Sequence, residues 1–110
     1  MISLIEKNKL QILAICKKHY IKSLYVFGSA ANDKDFNSNS DIDLLYDFDF
    51  EDINIDDIKT WKFDPFIEFF NLKEELENIT GRPIDLVSYK SIKNKYFKAA
   101  VDQTKQLIYG

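Results

Sequence analysis

Residues 41–50 read DIDLLYDFDF. Ile42, Leu44, Tyr46, Phe48 and Phe50 alternate with Asp41, Asp43, Leu45, Asp47 and Asp49. A side-chain period of two belongs to a β-strand, whose successive residues point to opposite faces. This stretch therefore commits the chain to a sheet with one apolar face and one acidic face. The apolar face must be covered, and the segments on either side of it have helical patterns that can cover it.

Residues 3–19 carry apolar positions at Ile5, Ile12, Leu13 and Cys16, which predicts a first helix. Ser3 and Glu6 have the spacing of a capping box. His19 falls near the helix end, where a capping or surface role is expected. Residues 23–27, SLYVF, form a short apolar run stopped by Gly28 and read as a buried strand. Gly28 to Ala31 permits a tight turn, and Asn32 to Asn39 reads as a polar loop. Residues 51–62 are acidic and read as an irregular connection. Asp64 and Pro65 have the residue types of a helix cap and first position, and Gly81 those of its stop. Between them Phe69, Leu72, Leu76 and Ile79 are spaced helically. Residues 83–87, PIDLV, read as a third strand, and 96–109 as a third helix with Phe97, Ala100, Val101, Thr104 and Ile108 on one stripe. The expected product is one α+β domain over residues 1–110. It has two layers, a short mixed sheet of about three strands with helices packed on one face.

With 110 residues and 45% apolar content, such a domain can bury roughly two-thirds of its unfolded surface. Nine Phe, six Tyr and one Trp make the core aromatic. Trp61, Phe63 and Phe66 are expected to be exposed and to want a partner surface. The net charge of −3 argues against a polybasic grip on nucleic acid, which requires many phosphates to be neutralised. It leaves room for a local phosphate site. The single cysteine, Cys16, excludes an internal disulfide and reads as a small core residue. No apolar run approaches membrane-spanning length. Lys7 and Lys9 interrupt the N-terminus, so no secretory leader is expected and a cytoplasmic protein is.

Asp41 and Asp43 fall on one strand face roughly 6.5 Å apart. At that distance two charges repel by about 2.5 kcal/mol at an effective dielectric near 20. Mg²⁺ between them would reverse the sign, since carboxylate oxygens are its preferred protein ligands. Asp85 interrupts an otherwise apolar strand, Ile84, Leu86 and Val87. A lone carboxylate there needs a partner or water. If that strand lies beside residues 41–50, three carboxylates meet on one face. Such a set can hold two metal ions for in-line phosphoryl or nucleotidyl transfer. Gly28 removes a side chain where a phosphate must approach, and the Ser29 hydroxyl can donate to it. Gly-Ser alone is a common turn, and Asp-x-Asp alone is common on solvated edges, which is the reading for Asp47 and Asp49. It is the order of the pieces on strand ends that is specific. An EF-hand is disfavoured, because the acidic stretch lacks the central Gly and terminal Glu.

Gly28-Ser29, then Ser40-Asp41-Ile42-Asp43-Leu44, then Ile84-Asp85-Leu86-Val87 resembles the minimal nucleotidyltransferase family of the DNA polymerase beta-like superfamily, over nearly the whole chain. The resemblance implies that Asp41, Asp43 and Asp85 ligate two Mg²⁺ ions and that Asp85 also helps activate the acceptor hydroxyl. It implies that Gly28 and Ser29 contact the β- and γ-phosphates of an NTP, ATP by expectation. The reaction is then attack of a hydroxyl on the α-phosphate with release of pyrophosphate. Stand-alone domains of this kind resemble antitoxins whose partner is a HEPN-domain ribonuclease toxin, either modified with AMP on a tyrosine or blocked by binding. Nucleotidylation of a small molecule such as an antibiotic is a weaker alternative, since it usually needs an acceptor-binding domain. The chain differs from the family pattern at Ala30, Ala31, Asn32 and Asp33, where an arginine often follows Gly-Ser. Lys34 is the nearest cation. Eleven residues separate Ser29 from Asp41, a slightly long spacer.

Overall fold

The computed structural model describes residues 1–110. Its strands are β1 (Ile21–Phe27), β2 (Ile42–Phe48), β3 (Ile84–Ser88) and β4 (Gln106–Tyr109). They lie in the order β3-β2-β1-β4. β1 runs antiparallel to β2 and β4, while β2 and β3 are parallel. The sheet is mixed, as expected, but has four strands rather than three. The helices are α1 (Ser3–Lys7), α2 (Lys9–Lys18), α3 (Ile55–Lys59), α4 (Pro65–Thr80) and α5 (Lys95–Thr104). Short 3-10 turns occupy Gly28–Ala31 and Tyr89–Ser91.

The fourth strand corrects the expectation of a helix through Tyr109. Lys105 turns to an extended backbone (φ −61°, ψ 140°) and ends α5. Residues 106–109 then pair with the outer edge of β1, which places Ile108 in the core. A four-residue segment, QLIY, is too short to carry a usable period, and an open sheet edge decides its conformation.

The β2 alternation sorts the molecule into two faces. Ile42, Leu44, Tyr46 and Phe48 join Leu24 and Val26 of β1 and Ile84 and Leu86 of β3 in the main core. Ile12 and Cys16 of α2 and Leu72 and Leu76 of α4 cover it. Burying each leucine is worth roughly 1.5–3 kcal/mol. Burial also raises the Cys16 thiol to about 12, so it packs as a neutral small residue. The opposite face is not left open, which corrects the expectation of helices on one face. Leu45, placed among the acidic positions, is buried there with Phe27 beneath Val101 of α5. Sequence alternation left Leu45 unexplained, and α5 explains it.

α4 has the predicted ends. The Asp64 carboxylate accepts from the Phe66 amide at 2.9 Å, Pro65 is the first helical residue, and Gly81 turns left-handed at φ 66°. The predicted first helix is two, broken at Asn8, whose side chain donates to the Leu4 carbonyl at 2.9 Å. The Ser3–Glu6 capping box does not form. Ser3 lies inside α1, and its amide donates to the Asp33 carboxylate at 3.2 Å. His19 caps the end of α2, as expected, but is buried rather than on the surface, at 5% exposure. Its Nδ1 lies 2.6 Å from Glu68, and its Nε2 meets Glu75. The connection over residues 51–62 contains α3, capped by Asn54. Phe63 is buried at 1%, edge-on to the rings of Tyr20, Phe48 and Phe50, while Trp61 and Phe66 are exposed as expected.

Candidate active site

The register of the sheet assembles the predicted residues. Asp43 stands directly opposite Asp85 in the parallel β2–β3 pair and opposite Phe27 in the antiparallel β1–β2 pair. Paired strands lie about 4.8 Å apart, so the Asp43 and Asp85 side chains rise as neighbours from one face. Asp41 precedes β2 by one residue. Gly28 follows Phe27 and opens the 3-10 turn. One end of the sheet therefore collects Asp41, Asp43, Asp85, Gly28 and Ser29 from three separate segments.

Asp43 is half-buried between two exposed carboxylates, Asp41 and Asp85. Desolvation, then the charge of Asp85, then that of Asp41 push its carboxyl up to about 6. This is the electrostatic signature of a site lacking a positive charge. Yet no three His, Cys, Asp or Glu side chains converge closely enough to enclose a metal by themselves. The two facts are compatible for Mg²⁺. It is commonly held by one or two carboxylates and completes its shell with waters and substrate phosphates. The donor set thus fits that ion.

Gly28 has φ +66°, and a Cβ built on it would lie 2.8 Å from the Asp43 Oδ2. Only glycine lets the backbone pass this close to the carboxylate in that conformation. The Gly28 amide is not free. It donates to the Thr104 hydroxyl at 3.2 Å, and that hydroxyl can donate to the Ala100 carbonyl at 3.3 Å. The end of α5 therefore braces the turn. In the sequence Thr104 lies on a helix stripe, and nothing local to it points to Gly28, 76 residues away. The start of the chain braces the other end, with the Ile2 amide on the Ala30 carbonyl at 3.0 Å.

The loop leading to Asp41 is held by Arg82, which belongs to none of the sequence motifs. The Arg82 Nη2 donates to the Asn37 carbonyl at 3.0 Å and to the Ser40 carbonyl. Its guanidinium carbon lies 4.7 Å from the centre of the Phe36 ring. Lys34 is exposed, with its amide on the Asn32 side chain. Asp47 is less open than expected: its carboxylate is mostly covered and lies 3.7 Å from Lys90.

The chain matches the family model for the polymerase beta nucleotidyltransferase domain over residues 10–110. Two candidate protein adenylyltransferases of Methanocaldococcus jannaschii are 35% and 31% identical to it over 92 and 93 residues. Each alignment spans 84% of this chain, and 79% and 80% of those proteins. The fold is shared with a solved candidate minimal nucleotidyltransferase at TM-score 0.71 and 22% identity, covering 96% of this chain and 95% of that one. It is also shared, at 0.59 and 20%, with the Shewanella oneidensis complex of a tri-AMPylated HEPN toxin with an MNT antitoxin, over 96% of this chain and 71% of that one. The carboxylate register and the sequence relatives agree: this chain belongs to the polymerase beta nucleotidyltransferase family.

Proposed function

We propose that this nucleotidyltransferase transfers AMP from ATP to a tyrosine of a HEPN-domain toxin, and so acts as its antitoxin in the cytoplasm. The observation that carries the site assignment is Asp43, desolvated beside Asp85 and Asp41 with Gly28 closing over it. The names of the relatives support the reaction class, and the structural neighbours support the kind of partner.

Asp41, Asp43 and Asp85 would hold a pair of Mg²⁺ ions, which when bound would supply Lewis-acid stabilisation of the charge that develops in an in-line displacement. Gly28 gives the triphosphate room beside Asp43, and Ser29 offers it a hydroxyl. Asp85, exposed at the rim, can accept the proton of the incoming hydroxyl. The hydroxyl oxygen bonds to the α-phosphorus, the bond to the β-phosphate oxygen breaks, and pyrophosphate leaves. Thr104, at the end of α5, holds the turn still while this happens.

A second reading, neutralisation by binding alone, is favoured by one observation. The only arginine, Arg82, is spent on loop carbonyls, and no arginine follows Gly28-Ser29. The Asp41→Ala, Asp43→Ala double variant separates the readings when co-expressed with the product of the neighbouring gene. Catalysis predicts lost neutralisation and loss of the AMP mass increment on the toxin, with complex formation retained. Full neutralisation by the double variant would support binding instead.

A further inference from the structure

We propose that Arg82 is a positioning residue for the carboxylate site, locking the turn that carries Asp41 onto the strand that carries Asp85. Its consequence for metal binding rests on the proposed function, whereas the clamp itself rests on contacts.

Ser40 immediately precedes Asp41, and Arg82 stands three residues before Asp85. The Arg82 backbone is fixed from both sides. Its amide donates to the Thr80 hydroxyl at 3.3 Å, and that hydroxyl donates to the Leu76 carbonyl of α4 at 2.7 Å. The next carbonyl, of Pro83, accepts from the Ile42 amide at 3.0 Å and begins the β2–β3 seam. From this base the guanidinium reaches across to the loop and takes the carbonyls of both Asn37 and Ser40 while covering Phe36.

The turn it grips is closed on itself. The Ser40 amide donates to the Asn37 carbonyl at 3.1 Å, the Asn37 amide to the Ser40 hydroxyl at 3.1 Å, and the Asn39 amide to the Asn37 side chain at 2.8 Å. Such a small polar turn is rigid within itself but has little apolar surface to seat it on the protein. Phe36, packed against the core, is its one apolar anchor. Asp43 and Asp85 are positioned by strand pairing, but Asp41 lies outside the ladder and inherits its place from this turn. One guanidinium nitrogen bonds both carbonyls while the planar group lies over the Phe36 ring, and a lysine ammonium has no flat face to lay on that ring.

Two readings test the clamp on Arg82→Ala, Arg82→Lys and the wild type: amide exchange across residues 37–42 and Mn²⁺ affinity by electron paramagnetic resonance. Both variants should accelerate exchange in residues 37–42 while β1 amides stay protected. Mn²⁺ affinity should weaken by about 10–100-fold, the loss typical of removing an outer support of a metal ligand. The lysine variant should recover little of it, and millimolar guanidinium should restore part of the affinity to Arg82→Ala. Wild-type exchange in residues 37–42 of both variants, or undiminished Mn²⁺ affinity, would overturn the proposal. Should Arg82→Ala not fold, Arg82→Lys carries the same test, because it keeps the charge and the stem. A wild type that binds no Mn²⁺ would instead count against the carboxylate site, with the exchange comparison still deciding the clamp.

Discussion

Burial and two flanking carboxylates give Asp43 a stability effect of unusual sign. Its folded value is near 6, while an unfolded aspartate titrates near 3.9. Between about 3.9 and 6 the folded state binds more protons, so stability falls as pH rises through that window. In EDTA the unfolding midpoint should drop across this range, and Asp43→Asn should flatten the drop. Excess Mg²⁺ should abolish it, because a bound cation supplies the missing charge. Glu75 acts oppositely. Hydrogen bonding to Lys18, foremost, holds it below the ordinary glutamate value. Its contribution is present above that ordinary value and fades as pH falls through the lowered one. Gly28→Ala should cost about 1–2 kcal/mol from its left-handed φ alone, and Mn²⁺ titration should show a larger loss of affinity than of stability, because the new Cβ meets Asp43. At this scale the sequence was most informative where chemistry and backbone needs coincided, at Gly28, Asp41, Asp43 and Asp85. Thr104 and Arg82 could not be read from it. Their importance lies in contacts to residues 76 and 42 positions away, which leave no local pattern.

α4 and β2 were legible because each has its period and, for α4, its caps written in nearby residues: Asp64, Pro65 and Gly81 for the helix, an alternation broken only at Leu45 for the strand. The ends of the chain were not. Asn8 breaks the first helix by turning its side chain back to Leu4, and β4 exists because β1 has an edge to fill. His19 shows the same limit. Its two ring nitrogens face Glu68 on one side and Glu75 on the other, so it joins α2 to α4. Neither glutamate is near it in sequence. His19→Ala should destabilise the fold by roughly 1–3 kcal/mol, the cost of leaving polar partners unmet. Leu76→Ala, which opens a cavity beneath α4, should cost about 2–5 kcal/mol. Both are measurable by urea unfolding, and both should leave Mn²⁺ affinity unchanged because they act on the face away from Asp43.

At the scale of the whole molecule, the strand order β3-β2-β1-β4 brings distant segments together at the candidate site. Asp85 comes to Asp43 through the parallel β2–β3 pair, and Gly28 comes to it through the antiparallel β1–β2 pair. The main core and the α2–α4 layer hold one face, leaving the other to the carboxylates and the α5 brace. Removing Asp85 should then act on chemistry more than on folding. Asp85→Asn should lower kcat by about 10²–10⁴-fold if it serves as the proton acceptor, with a near-wild-type unfolding curve. The most direct measurement uses ATP labelled in turn at the α- and γ-phosphate, with Mg²⁺ and the product of the neighbouring gene as acceptor. The α-label should pass to a tyrosine of that acceptor and the γ-label should not, and Asp43→Asn or EDTA should stop the transfer. Transfer of the γ-label, or no transfer of either from a complex that binds Mg²⁺ and ATP, would contradict adenylyl transfer at this site.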